Sequence, residues 1–119
     1  MGTAAELAGA QPPANIDSIS FAPTLTGEGK QAKHEFLYWE FHEGGFKQAA
    51  LYQGRWKGIR AGGPDAPVAL FDQENDIAEK TNVAAKQPDI AEKIGAYLKT
   101  ARSDSLNWVP NWKAGKKKK

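Results

Sequence analysis

The sequence contains no cysteine and only two histidines, His34 and His42. Without cysteine there is no disulfide, no thiolate metal site and no cysteine nucleophile. Long apolar runs are missing too. No stretch reaches the roughly 18 apolar residues of a membrane-spanning helix, and the opening "MGTAAELAGAQPP" has neither the basic nor the apolar region of a signal peptide. As written, the chain reads as soluble and unexported, and its localisation stays open. Net charge is small as well. The formal value is +2, but Lys116, Lys117, Lys118 and Lys119 contribute four positive charges, so residues 1–115 carry −2. The basic pI of 8.8 therefore belongs to the tail. Such a tail can touch phosphates, but its plainer reading is a solvated end. No aromatic is interleaved among those lysines, which argues against a nucleic-acid partner.

Aromatic residues are what the chain does have. Four Trp, five Phe and three Tyr among 119 residues, with 40% hydrophobic overall, suit one folded domain with an aromatic-rich core. "TAAELAGA" reads as a short helix stopped by Pro12-Pro13, and Pro23-Thr24-Leu25 as one helical turn before Gly27. From Phe36 to His42 the pattern alternates, with Leu37, Trp39 and Phe41 on one face and Phe36, Tyr38, Glu40 and His42 on the other. The first face is expected to be the core. Glycine turns at Gly44-Gly45 and Gln53-Gly54 separate further strands at Gln48–Tyr52 and Arg55–Arg60, and Val68–Phe71 supplies a fourth. Pro88 to Arg102 is the strongest helical pattern, its stripe of Ile90, Ile94, Tyr97, Leu98 and Ala101 seeking an apolar partner. The expected fold is α+β: a small four-stranded antiparallel sheet with one C-terminal helix packed on the Leu37, Trp39 and Phe41 face. Trp39→Ala should then cost about 3–5 kcal/mol.

The order of these features resembles the C-terminal subdomain of arylsulfatases, especially bacterial members of the sulfatase family. The strand "FLYWEF" matches a family L-Y-W-E, Gly54-Arg55-Trp56-Lys57 a G-x-W-K hairpin, and Leu70-Phe71-Asp72 an L-Y-D strand. The run Asp76 to Ala84 matches D-P-x-E-x-x-N-L-A, and a Pro-led helix follows. Upstream, "AELAG" and "DSISFAPTL" resemble the segment that joins the catalytic domain to this subdomain. The likeness runs from about Ala5 to Trp108. Ile77, Ser18, Phe71 and Tyr52 depart from the usual Pro, Gly, Tyr and Arg. The resemblance divides the chain into residues 1–33 as a remnant of the linking segment, 34–108 as the subdomain and 109–119 as a Lys-rich tail.

As the resemblance implies, a complete family enzyme uses calcium and a formylglycine made within a C/S-x-P/A-x-R motif, and relatives are often periplasmic or secreted. No serine here begins that motif. No catalytic residue, metal ligand or cofactor is therefore assigned to this chain, and it is expected to be inactive alone. Asp72, Glu74, Asn75 and Asp76 are oxygen donors without the spacing of a calcium loop, and read as turn and capping residues. His42 is the one candidate substrate-binding residue. Placed at a strand end before Gly44-Gly45, it could reach a neighbouring cleft, although an exposed strand-end histidine is the plainer reading. Trp39 and Trp56 read as buried, whereas Trp108 and Trp112 could clasp the sheet or stack on a partner. The expected role is that of a sulfatase fragment completing the fold and substrate cleft of a catalytic domain. Its partner would be that domain, or a second copy, through an apolar face left open near Phe36, Tyr38, Leu7 and Phe21. The alternative is a freestanding glycan- or protein-binding module, with a sulfated glycan as possible ligand.

Overall fold

A computed structural model describes residues 1–107; Trp108, Trp112 and the lysine tail lie outside the described residues. The chain divides into two compact units, Met1–His34 and a second beginning at Glu35. In the first, helix α1 (Gly2–Leu7) and the single turn α2 (Ala22–Thr26) are cross-tied by side chains. The Gly2 amide donates to Ser18 Oγ at 3.0 Å and the Phe21 amide to Thr3 Oγ1 at 3.1 Å. Gly27 closes α2 in the left-handed region at φ 74°, which glycine adopts without steric cost.

The second unit is a meander of β1 (Phe36–Glu40), β2 (Lys47–Tyr52), β3 (Trp56–Ala61) and β4 (Val68–Asp72), followed by α3 (Pro88–Thr100). The four antiparallel strands lie side by side in chain order. Register sets Tyr38 opposite Ala50, Ala50 opposite Gly58, and Gly58 opposite Leu70. This row runs beneath α3. Leu70, Ile94 and Ala50 are fully buried and Leu98 is 1% exposed, with Phe36, Trp56, Val68 and Tyr97 packed around them. The Phe36 and Tyr97 rings stack at 4.1 Å.

The helix therefore covers the opposite face from the one the alternation of β1 suggested. Phe36 and Tyr38 lie on the covered side, whereas Leu37, Trp39 and Phe41 are 40%, 50% and 59% exposed. Both faces of β1 carry aromatics, so strand periodicity alone could not rank them. Small residues on the neighbouring strands decide the matter. A Cβ on Gly58 would stand 2.5 Å from Ile94 Cγ2, so the helix approaches where β3 has no side chain. The expected apolar opening near Phe36 and Tyr38 is corrected accordingly: it lies on the Leu37 side, while Leu7 and Phe21 in the first unit are exposed. β1 also stops two residues before His42, where the Gly45 amide turns back to the His42 carbonyl at 3.2 Å.

After β4 the polar run folds back along the sheet edge. Asp76 accepts from the Lys80 and Thr81 amides at 3.1 and 2.7 Å, closing a turn that includes Glu79 at φ 53°. Asn82 Oδ1 then accepts from the Leu70 and Ala84 amides, both at 3.0 Å, while the Val83 amide donates to the Leu70 carbonyl. Groups that would otherwise stand open at an edge strand are satisfied there.

Candidate functional site

His42 is not an exposed strand-end side chain. Its side chain is 4% exposed, with Nε2 3.3 Å from Glu40 Oε2 and the ring 5.2 Å from that of Phe46. Glu40 reaches this position because it shares a strand face with Phe36 and Tyr38, opposite Gln48. Its Oε2 accepts from Tyr38 Oη at 2.8 Å, and its Oε1 from Arg102 Nε at 3.0 Å. Gln48 Nε2 donates in turn to Tyr38 Oη at 2.9 Å, and Arg102 also pairs with Asp104. Burial alone would raise the Glu40 carboxyl, but hydrogen bonds from Tyr38, His42 and Arg102 outweigh it and hold the group below its ordinary value. Burial, reinforced by donation to Glu40, pushes the Tyr38 hydroxyl up to about 12. The cluster fastens β1 to the segment just past α3. In this arrangement the His42 ring faces Glu40 and not an open rim.

Beside the cluster lies a cleft of about 370 Å³ between the loop of residues 62–67 and the C-terminal end of α3. Gln48 and Arg60 form its floor, Pro64 and Asp65 one side, and Lys99 and Arg102 the other. Arg60 is 4% exposed. Its Nε donates to the Ala66 carbonyl at 3.1 Å and its Nη2 to the Gly95 carbonyl at 3.0 Å. Reading the sequence missed Arg60, although a charged residue two positions from Gly58 on the covered strand face was an available signal.

The second candidate surface is the open side of the sheet. Leu37 and Trp39 stand there beside their β2 partners Leu51 and Ala49. Trp39, Ala49, Leu51, Lys57 and Gln73 line a shallow groove of about 360 Å³. Lys57 is held at its edge by an ion pair to Glu79. Patches of this kind on a sheet are uncommon unless something covers them.

The acidic run after β4 serves the hairpin end. Asp72 accepts Arg55 Nε at 3.0 Å, Arg55 Nη2 at 2.8 Å and Asn75 Nδ2 at 2.8 Å, and Arg55, ahead of Asn75, lowers its carboxyl to about 2. Arg55 in turn lies 4.6 Å over the Trp56 ring. With Asp72 on Arg55 and Asp76 on two amides, these residues do not fit the calcium that the family resemblance implies. Among the described residues no three His, Cys, Asp or Glu side chains converge as a metal site would require.

Compared with solved structures, the fold matches a protein from Bacteroides thetaiotaomicron described as a sulfatase, with TM-score 0.66 and 28% identity over 81% of this chain. The chain is sulfatase-like. A 2-O GAG sulfatase matches with TM-score 0.64 and 29% identity, again over 81% of the chain. A third match, from work on glycosaminoglycan metabolism by Bacteroides thetaiotaomicron, has TM-score 0.63 at 23% identity over 83% of the chain and bears on the fold alone. The sulfatase-like chain spans only about 22% of the length of the first two. This agrees with the C-terminal subdomain that its motifs resemble. No protein-family profile and no curated protein matches it.

Proposed function

We propose that the chain is the C-terminal subdomain of a sulfuric ester hydrolase, seated on a catalytic portion through the open side of its sheet and walling one edge of the substrate cleft. The observation that carries this reading is the exposed row of Leu37, Trp39 and Phe41, on the side that α3 does not cover. The similar chains support this reading, since about four-fifths of each lies outside the match. Chemistry would come from that larger part, which supplies calcium and formylglycine in the family resemblance. This chain would contribute packing and shape.

A graft tests the proposal. The matching segment of the Bacteroides thetaiotaomicron sulfatase is replaced by this chain, and sulfate release is measured beside the same protein with the segment deleted. The graft should restore activity, and Trp39→Lys with Leu51→Glu should abolish the gain without melting the isolated chain. A deleted protein as active as the graft would overturn the reading. His42 is kept within it as the candidate substrate contact, which requires the ring to turn away from Glu40. His42→Ala in the graft should then slow a sulfated sugar more than a small aryl sulfate, whereas equal losses would make it a positioning residue. A freestanding glycan- or protein-binding module is the alternative, and it predicts ligand capture by the isolated chain that the open-face substitutions remove.

A further inference from the structure

The cleft floored by Arg60 lies on the helix side of the sheet, and nothing in the docking proposal uses it. We propose that it is an anion-accepting site, in which Arg60, assisted by Lys99, receives a carboxylate or sulfate group carried on a small ligand.

The argument begins with charge. A guanidinium stays protonated at any physiological pH, and burying one without a carboxylate partner is unfavourable. Arg60 is 4% exposed, yet both of its hydrogen bonds go to carbonyl oxygens, from Nε to Ala66 and from Nη2 to Gly95. No acidic side chain among the described residues pairs with it. Arg102, the other arginine of the cleft, differs in being engaged by Glu40 and Asp104. Lys99 at the rim forms no ion pair among the described residues, and of the two carboxylates in the lining, Asp104 is paired with Arg102 and Asp65 stands at the rim. The two carbonyl bonds fix the plane of the Arg60 guanidinium, leaving the Nη1 edge for an oxyanion. A planar fork held this way is pre-organised for the two oxygens of a carboxylate or sulfate. A space of about 370 Å³ has the size of a small-ligand pocket, room for the group and the small body that carries it. Asp65 at the rim disfavours polyanions and would accept from a hydroxyl of that body.

The test is a titration of the ¹⁵N-labelled full chain, followed by amide and arginine side-chain NMR signals. Sodium sulfate, sodium acetate and sodium glucuronate are compared with sodium chloride at equal ionic strength. Saturable shifts at Arg60, Lys99 and Asp65 with sulfate or with a carboxylate, absent with chloride, are expected, and the anion that saturates identifies the group the site takes. Arg60→Lys keeps the charge but loses the fork and should weaken binding about tenfold. The exposed Lys99→Gln should weaken it a few-fold, with the fold checked by circular dichroism. Trp39→Lys on the opposite side should leave the titration unchanged, so the result stands apart from that of the graft. Shifts that do not saturate, that chloride reproduces, or that persist unaltered in both Arg60→Lys and Lys99→Gln would overturn the proposal.

Discussion

Trp39 shows how much one residue's environment decides. Buried, its removal would cost about 3–5 kcal/mol; at 50% exposure, Trp39→Ala should cost about 1 kcal/mol or less in the isolated chain. Leu70, fully buried beneath α3, should lose about 2–5 kcal/mol on truncation to Ala. Urea denaturation of the two variants tests this order, and a costlier Trp39 would place it back in the core. Gly58→Ala works by the opposite mechanism. Its new methyl would meet Ile94 Cγ2 at 2.5 Å and Val68 Cγ1 at 3.0 Å, so a loss of about 1–3 kcal/mol is expected. Asp72 and Tyr38 give the stability a pH dependence at its two ends, and the lowered Glu40 carboxyl adds to the acid side. The Asp72 carboxyl is depressed from 3.8 to about 2, so its contribution is complete above pH 4 and disappears as pH falls toward 2. Tyr38 is raised from 10.0 to about 12, so its contribution holds below pH 10 and disappears as pH rises toward 12. Melting temperatures of Asp72→Asn and Tyr38→Phe against the parent across these ranges should converge with it at the two extremes.

Among the elements, the strands and the start of α3 follow from local chemistry. Pro88 opens α3 and Asp89 lies in its first turn, where the sequence pattern places the helix start. The helix ends at Thr100, two residues short of the expected Arg102, because Arg102 is held by Glu40 in β1. That partner is 62 positions away and invisible to any local pattern. The same limit applies to His42. Its place after a strand and before Gly44-Gly45 is legible in the sequence, whereas its inward turn depends on Phe46 and Glu40. Asn82 gives the test at this scale. Replacing it by Ala frees the Leu70 and Ala84 amides together, and should lower stability by about 1–3 kcal/mol. Hydrogen exchange should quicken first at Leu70, and uniform quickening over the sheet would argue against a local pin.

For the whole molecule, the isolated chain should release no sulfate from an aryl sulfate even with calcium supplied, because neither a C/S-x-P/A-x-R motif nor a convergent acidic cluster is available among the described residues. Turnover that disappeared on substituting a residue of this chain would contradict that. The sequence by itself determined the four strands, their antiparallel order, the long helix and the family resemblance, since alternation, glycine turns, a Pro-led start and the order of motifs are all local properties of the chain. The tertiary structure decided which side of the sheet is core. With Phe36 and Tyr38 facing one way and Leu37 and Trp39 the other, β1 is apolar on both sides, and the choice fell to Ala50 and Gly58 on its neighbours, whose small size lets Ile94 and Leu98 approach. The same choice left Trp39 half exposed and enclosed Arg60 beneath the helix. Neither outcome is written in the period of any one strand, because each depends on what the adjacent strands and α3 place across from it.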